Sequence, residues 1–174
     1  MKLINQTKAL FTIMLAMIMA AAITTNAQDT MHSFVRSQSE VKYIAFPGLP
    51  TCAQGALQSG NPATGPSFII SKVSKGCIIP WHWHTPNEYL IVISGAVTMN
   101  MKDEGSSMTM RSGDFALMAS HHIHQLQCTE DCVLYVYSDA PFDIHYVDKQ
   151  GKEISPDDAL KAVNETTVSM PAKK

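Results

Sequence analysis

The sequence predicts an all-β fold, a sandwich or barrel of short strands with one short helix near the C-terminal end. Two observations point there. Short runs rich in apolar, β-branched and aromatic residues recur at even spacing between residues 41 and 147. Turn-forming groups separate them, among them Pro47-Gly48, Gly60-Asn61-Pro62, Gly65-Pro66 and Gly113-Asp114. A third observation is length. Once a leader is set aside, 147 residues remain, the size of one domain with a core of its own.

The leader is residues 1–27. Lys2 and Lys8 precede an apolar block at 9–23, no acid occurs before Asp29, and Thr24-Thr25-Asn26-Ala27 ends in a small residue. This is the three-part pattern of a secretory signal peptide, with cleavage expected after Ala27. The apolar block falls short of the ~20 residues that span a bilayer, so no stable membrane anchor is expected. The expected location is the periplasm or the exterior. Removal of the leader leaves 11 basic residues against 15 acidic ones, a net charge of −4, and no basic run. A nucleic-acid partner therefore has no electrostatic support.

Residues 28–40 are polar and read as a flexible arm, and the β domain is expected over 41–154. Strands are expected at 41–46, 54–58 and 68–73, each followed by glycine or proline. A histidine-bearing strand follows Gly76. Thr85-Pro86-Asn87 is a tight connection, because Pro86 cannot donate to a ladder. Further strands are expected at 88–93, 96–102, 108–111, 115–118, 122–128, 133–138 and 144–147, with a hairpin loop at 103–107. The segment 155–174 opens on a helix start. Ser155 is the N-cap, Pro156 the first helical residue, and Asp157 and Asp158 lie in the first turn. Two helical turns and a disordered tail are expected from there.

The chemistry concentrates between Gly76 and Gly95, G-C-I-I-P-W-H-W-H-T-P-N-E-Y-L-I-V-I-S-G. Successive side chains of a strand point to opposite faces, so His82 and His84 share one face, with Glu88 close behind. Two imidazoles and a carboxylate aimed at one point suit a first-row transition metal. His124, in the alternating stretch after Gly113, can close the site if its strand lies beside the first. His121 and His122 read as packed or surface residues, and His32 and His145 have no partner in sequence.

These stretches resemble the two signatures of the cupin superfamily. The first, G-x5-H-x-H-x3-E-x6-G, is filled at every fixed position by Gly76, His82, His84, Glu88 and Gly95. The second, G-x5-P-x-G-x2-H-x3-N, is filled at Gly113 and His124, while Ala119, His121 and Cys128 stand at its proline, glycine and asparagine positions. The resemblance implies a single jelly-roll β-barrel holding one divalent metal on His82, His84, Glu88 and His124.

Three neutral imidazoles and one carboxylate leave a divalent ion with a net charge of +1 and, when it is six-coordinate, two open positions. Iron, manganese, nickel and zinc all suit this set. The partner implied is a small molecule, since Ile78, Leu90, Val92, Met118 and Leu126 are expected to line an apolar cavity. The leading functional expectation is a metal-dependent oxidoreductase, dioxygenase-like, acting on a small enolisable or phenolic compound, with Glu88 also a candidate proton relay. A non-catalytic module that binds or senses a metal or small ligand is the alternative, and a metal-dependent isomerase or lyase a third. No acid or base beyond the ligands stands out, so the catalytic residues stay unassigned.

Exported proteins keep disulfides. Cys128 and Cys132 flank a three-residue stretch that reads as a hairpin loop, which would set them opposite each other and within bonding reach. Cys52 and Cys77 form the second candidate pair, with free buried thiols as the alternative for it. Parity turns Cys77 away from His82 and His84. It also turns Trp81 and Trp83 outward, to pack on an N-terminal strand or to form a homodimer interface.

Overall fold

The computed structural model describes residues 32–103, 105 and 107–168. The chain divides into two units, Met1–Arg36 and Ser37–Lys174, and every strand and helix described lies in the second. The leader at 1–27 and the end of the tail, from 169, fall outside the described residues. Among the described residues no helix is long and apolar enough to cross a membrane.

The strands in chain order are β1 (Ile44–Ala45), β2 (Ala53–Gly60), β3 (Ser67–Val73), β4 (Ile78–Trp83), β5 (Glu88–Ser94), β6 (Ala96–Met101), β7 (Ser107–Arg111), β8 (Phe115–Met118), β9 (His124–Cys128), β10 (Cys132–Ser138) and β11 (His145–Tyr146). They form two antiparallel sheets. One has the order β1-β2-β3-β10-β5-β8, the other β11-β4-β9-β6-β7. This is a jelly roll, but the expected barrel is not closed: the sheets remain two separate ladders. Their inner faces make the core. Leu90, Val92, Met118 and Leu134 come from the first sheet, and Val97, Met99, Met110 and Leu126 from the second, all in one buried cluster. In β5 the period of two is plain, with Glu88, Leu90 and Val92 inward and Tyr89, Ile91 and Ile93 outward.

A bulge decides which side chains face the centre. Ile79 pairs with Leu126 and His82 with His124, so three steps on β4 match two on β9. Pro80 lies inside the bulge, where its missing N–H leaves no ladder bond to lose. The bulge reverses parity below it. Ile79, rather than the expected Ile78, lines the cavity with His82, and Cys77 joins the buried core instead of facing away. Cys77 is bonded to Cys52, with Cα atoms 5.8 Å apart.

The expected Cys128–Cys132 disulfide is absent, and both thiols are free and buried. The physical reason is topological. β9 belongs to the five-stranded sheet and β10 to the six-stranded one, so residues 129–131 cross between sheets and are no hairpin loop. The Cys132 thiol donates instead to the carbonyls of Glu130 and Ala96.

Four strands are shorter than expected, β1, β6, β9 and β11. Only Ile44–Ala45 of 41–46 pairs, at the edge beside β2, and Ser37 caps a single 3-10 turn at Gln38–Glu40 in the segment expected to be loose. His122 stands outside β9, because the chain turns sharply just before it. His121 adopts φ +62°, the left-handed region, at the position that the cupin signature gives to glycine. A non-glycine residue there costs about 1 kcal/mol or more. Its ring stacks on Trp83 at 4.4 Å, and its N–H donates to the His84 carbonyl. The other face of Trp83 is covered by His145 at 3.9 Å, so its packing comes from the C-terminal strand rather than an N-terminal one. The helix α1 (Pro156–Val168) is longer than two turns, and the Ser155 hydroxyl accepts the Asp158 N–H at its start.

Candidate metal centre

The structure brings His82, His84, Glu88 and His124 together. One ligand atom from each lies within 4.8 Å of the others. His82 and His124 face each other across β4 and β9, His84 follows directly after β4, and Glu88 opens β5 of the other sheet. The centre therefore spans the gap between the sheets, at the point where the 85–87 turn crosses it. All four residues are buried, His124 at 1% exposure and Glu88 at 7%.

Each imidazole is oriented from behind. The Nδ1–H of His82 donates to the Pro80 carbonyl at 2.6 Å, that of His124 to the His122 carbonyl at 2.9 Å, and that of His84 to the Asp143 carbonyl. With Nδ1 carrying the proton, each Nε2 presents a lone pair to the centre, as a metal-ligating histidine requires. The Nε2 of His84 is buried and makes no hydrogen bond. Glu88 Oε2 lies 3.3 Å from His84 Nε2 and 3.2 Å from His124 Nε2. Donors bound to one first-row ion at about 2.0–2.2 Å stand roughly 3–3.5 Å apart, so these distances fit a shared cation.

The protonation pattern agrees. Burial alone would raise the Glu88 carboxyl, but His84 and His124 outweigh it and hold the group well below its ordinary value. Burial, then the neighbouring His124 and His84, push His82 well below the imidazole range, so it stays neutral. Burial also pulls His84 down, yet Glu88 and the Asp143 carbonyl overcome it and the net shift is upward.

The centre opens on a cavity of about 300 Å³. Ile79, Leu90, Met99, Leu126, Leu134 and Val136 form its apolar walls, while Phe46, Phe142 and Asp143 also line it. Val92 and Met118, expected as wall residues, pack in the core instead. Phe46 and Phe142 were not legible as site residues, because they stand on loops with no motif. Phe46 has a trace in the sequence at Gly55: a Cβ there would lie 2.4 Å from its ring. The ring of Phe142 stacks on His84 at 4.4 Å.

The cupin domain family profile matches residues 69–138, which hold all four candidate ligands. Over that stretch the chain is similar to the cupin domain. Solved structures agree on the fold. An acetylacetone dioxygenase from Acinetobacter johnsonii aligns with a TM-score of 0.59 at 18% identity, covering 83% of this chain and 99% of that one. An RmlC-like cupin protein from Ralstonia eutropha aligns at 0.58 and 13% identity, over 82% and 91%. The polyketide cyclase RemF from Streptomyces resistomycificus aligns at 0.57 and 18% identity, over 68% and 87%. No curated protein sequence matches.

Proposed function

We propose that the protein is a metal-dependent oxidoreductase of the dioxygenase kind, acting on a small enolisable or phenolic compound. The observation that carries this reading is a buried three-histidine, one-glutamate centre at the end of a small apolar cavity. A divalent first-row ion bound there supplies Lewis acidity toward an enolate or phenolate and, as iron, access to dioxygen. The chain's own residues set the rest. Glu88 contributes one negative charge and the imidazoles none, so a monoanionic substrate completes a neutral assembly, the charge state that an apolar cavity tolerates best. At about 300 Å³ the cavity is at the small end of ligand sites and excludes bulky substrates. Its aliphatic walls keep water from the reacting atoms. Glu88, held well below its ordinary value, suits the role of ligand better than that of proton relay. The acetylacetone dioxygenase that shares the fold makes a small diketone-like compound a natural first test.

Oxygen uptake by the iron-loaded protein, measured against a panel of β-diketones, enols and phenols, tests the reading. Consumption that depends on both iron and one compound class supports it. Tight ligand binding without turnover under any metal would favour a binding or sensing module, and turnover without oxygen an isomerase or lyase. Export after loss of residues 1–27 belongs to the same proposal, and the Cys52–Cys77 bond supports an oxidising compartment. The N-terminal residue of the protein isolated from its source checks it, with Gln28 expected.

A further inference from the structure

The turn from β4 to β5 carries His84 at one end and Glu88 at the other. Its own sequence, Thr85-Pro86-Asn87, does little to hold it, since Pro86 has no N–H to donate. Its polar groups are taken by the segment 139–145 and by Ser120. Asp139 accepts the Asn87 N–H at 3.2 Å and its Nδ2–H at 2.7 Å. Ser120 donates its N–H to Asn87 Oδ1 at 3.0 Å and its hydroxyl to the Thr85 carbonyl at 2.6 Å. Asp143 does more. Its Oδ1 accepts the Thr85 N–H at 2.8 Å, its Oδ2 lies 3.2 Å from His145 Nε2, and its carbonyl accepts the Nδ1–H of His84. His145 is in turn stacked flat on Trp83, the last residue of β4, which stands between His82 and His84.

We propose that Asp143 is a positioning residue for the metal centre. It fixes His84 twice: the carbonyl sets the tautomer and direction of the ring, and the carboxylate holds the backbone that follows it. This rests on the reading that His82, His84, Glu88 and His124 hold a metal. The carbonyl can act only while residue 143 stays in place. The two carboxylate oxygens keep it there, one on Thr85 and one on His145. An asparagine at 143 retains an acceptor for the Thr85 N–H and an amide for His145, whereas an alanine retains neither. The Asp143 side chain is 41% exposed, so its removal opens no core cavity. The effect therefore falls on the centre rather than on the fold.

The test is titration of wild type, D143N and D143A with cobalt(II) alone, following visible absorption and affinity, alongside thermal unfolding of each metal-free protein. D143A is expected to bind cobalt about 10- to 100-fold more weakly, the range for loss of an outer partner of a metal-bound histidine, with an altered spectrum. D143N is expected to restore both, and the three metal-free proteins to unfold alike. Wild-type affinity and spectrum in D143A would overturn the proposal. So would D143N as weak as D143A, or a fall in metal-free stability that matches the loss of affinity. A wild type that takes up no cobalt overturns the metal reading as well, which separates that failure from failure of the positioning role alone.

Discussion

The two glycines that bound the histidine-bearing stretch differ in why they must be glycine, and Gly95→Ala against Gly76→Ala tests this. Both adopt left-handed backbone, φ +82° and +81°. A side chain in that region costs about 1–2 kcal/mol. At Gly76 this is the whole penalty, since nothing lies within 4 Å of an added Cβ. At Gly95 the Cβ would sit 2.2 Å from the Asp131 carbonyl oxygen and 3.0 Å from the Cys132 Cα. That backbone cannot easily retreat. The adjacent Ala96 carbonyl accepts the Thr129 N–H at 2.8 Å, the Thr129 hydroxyl at 3.1 Å and the Cys132 thiol at 3.2 Å. Overpacking adds about 1–3 kcal/mol. The expected losses are about 1–2 kcal/mol for Gly76→Ala and about 2–5 kcal/mol for Gly95→Ala. At roughly 3–4 °C per kcal/mol for a domain of this size, the melting temperature falls by about 3–8 °C and 6–20 °C respectively. Thermal unfolding of the metal-free proteins by far-ultraviolet circular dichroism measures both. Equal shifts would refute the steric argument.

Metal affinity is expected to rise with pH through and above 6.5, because His84 is held above that ordinary value and must lose its proton before Nε2 can bind a cation. Calorimetry in two buffers of different ionisation heat should show proton release. For the metal-free protein the sign at His84 is reversed: its contribution to stability is present below 6.5 and lost as pH rises through the raised value. His82, held low, acts oppositely, its contribution being present above 6.5 and lost as pH falls below it. Ile79→Phe should weaken binding of a small enolate to the metal-loaded protein about tenfold or more through overpacking, while Ile78→Phe should leave it near wild type, as read by titration. Cys128 and Cys132, at 0% and 2% exposure, should resist a thiol reagent in the folded protein and yield two thiols per chain on unfolding without reductant. Burial also raises the Cys128 thiol, which keeps it in the unreactive form.

The four candidate ligands are legible because three lie on strands and His84 directly follows one, where the period of two survives locally, with glycines bounding the stretch. The neighbourhood was less so. One proline, Pro80, hides a bulge that exchanges Ile79 for Ile78 and turns Cys77 inward. Residues 128–132 read as a hairpin because spacing alone cannot show that β9 and β10 belong to different sheets. Phe46, Phe142 and Asp143 reach the cavity through pairings far apart in sequence, such as Phe142 N–H to the Pro62 carbonyl and the Tyr146 hydroxyl to the Gly48 carbonyl. His121 reads from the sequence as a packed or surface residue, and its left-handed backbone shows only as a departure from the glycine of the second signature.

The central claim is that these four side chains share one ion. Elemental analysis of the protein purified from its native compartment, repeated with His124→Ala, tests it most directly. The account predicts about one first-row transition ion per wild-type chain and a large loss in the variant. A wild-type chain that stays empty after exposure to iron, manganese, nickel and zinc would contradict it, as would a variant that keeps a full complement.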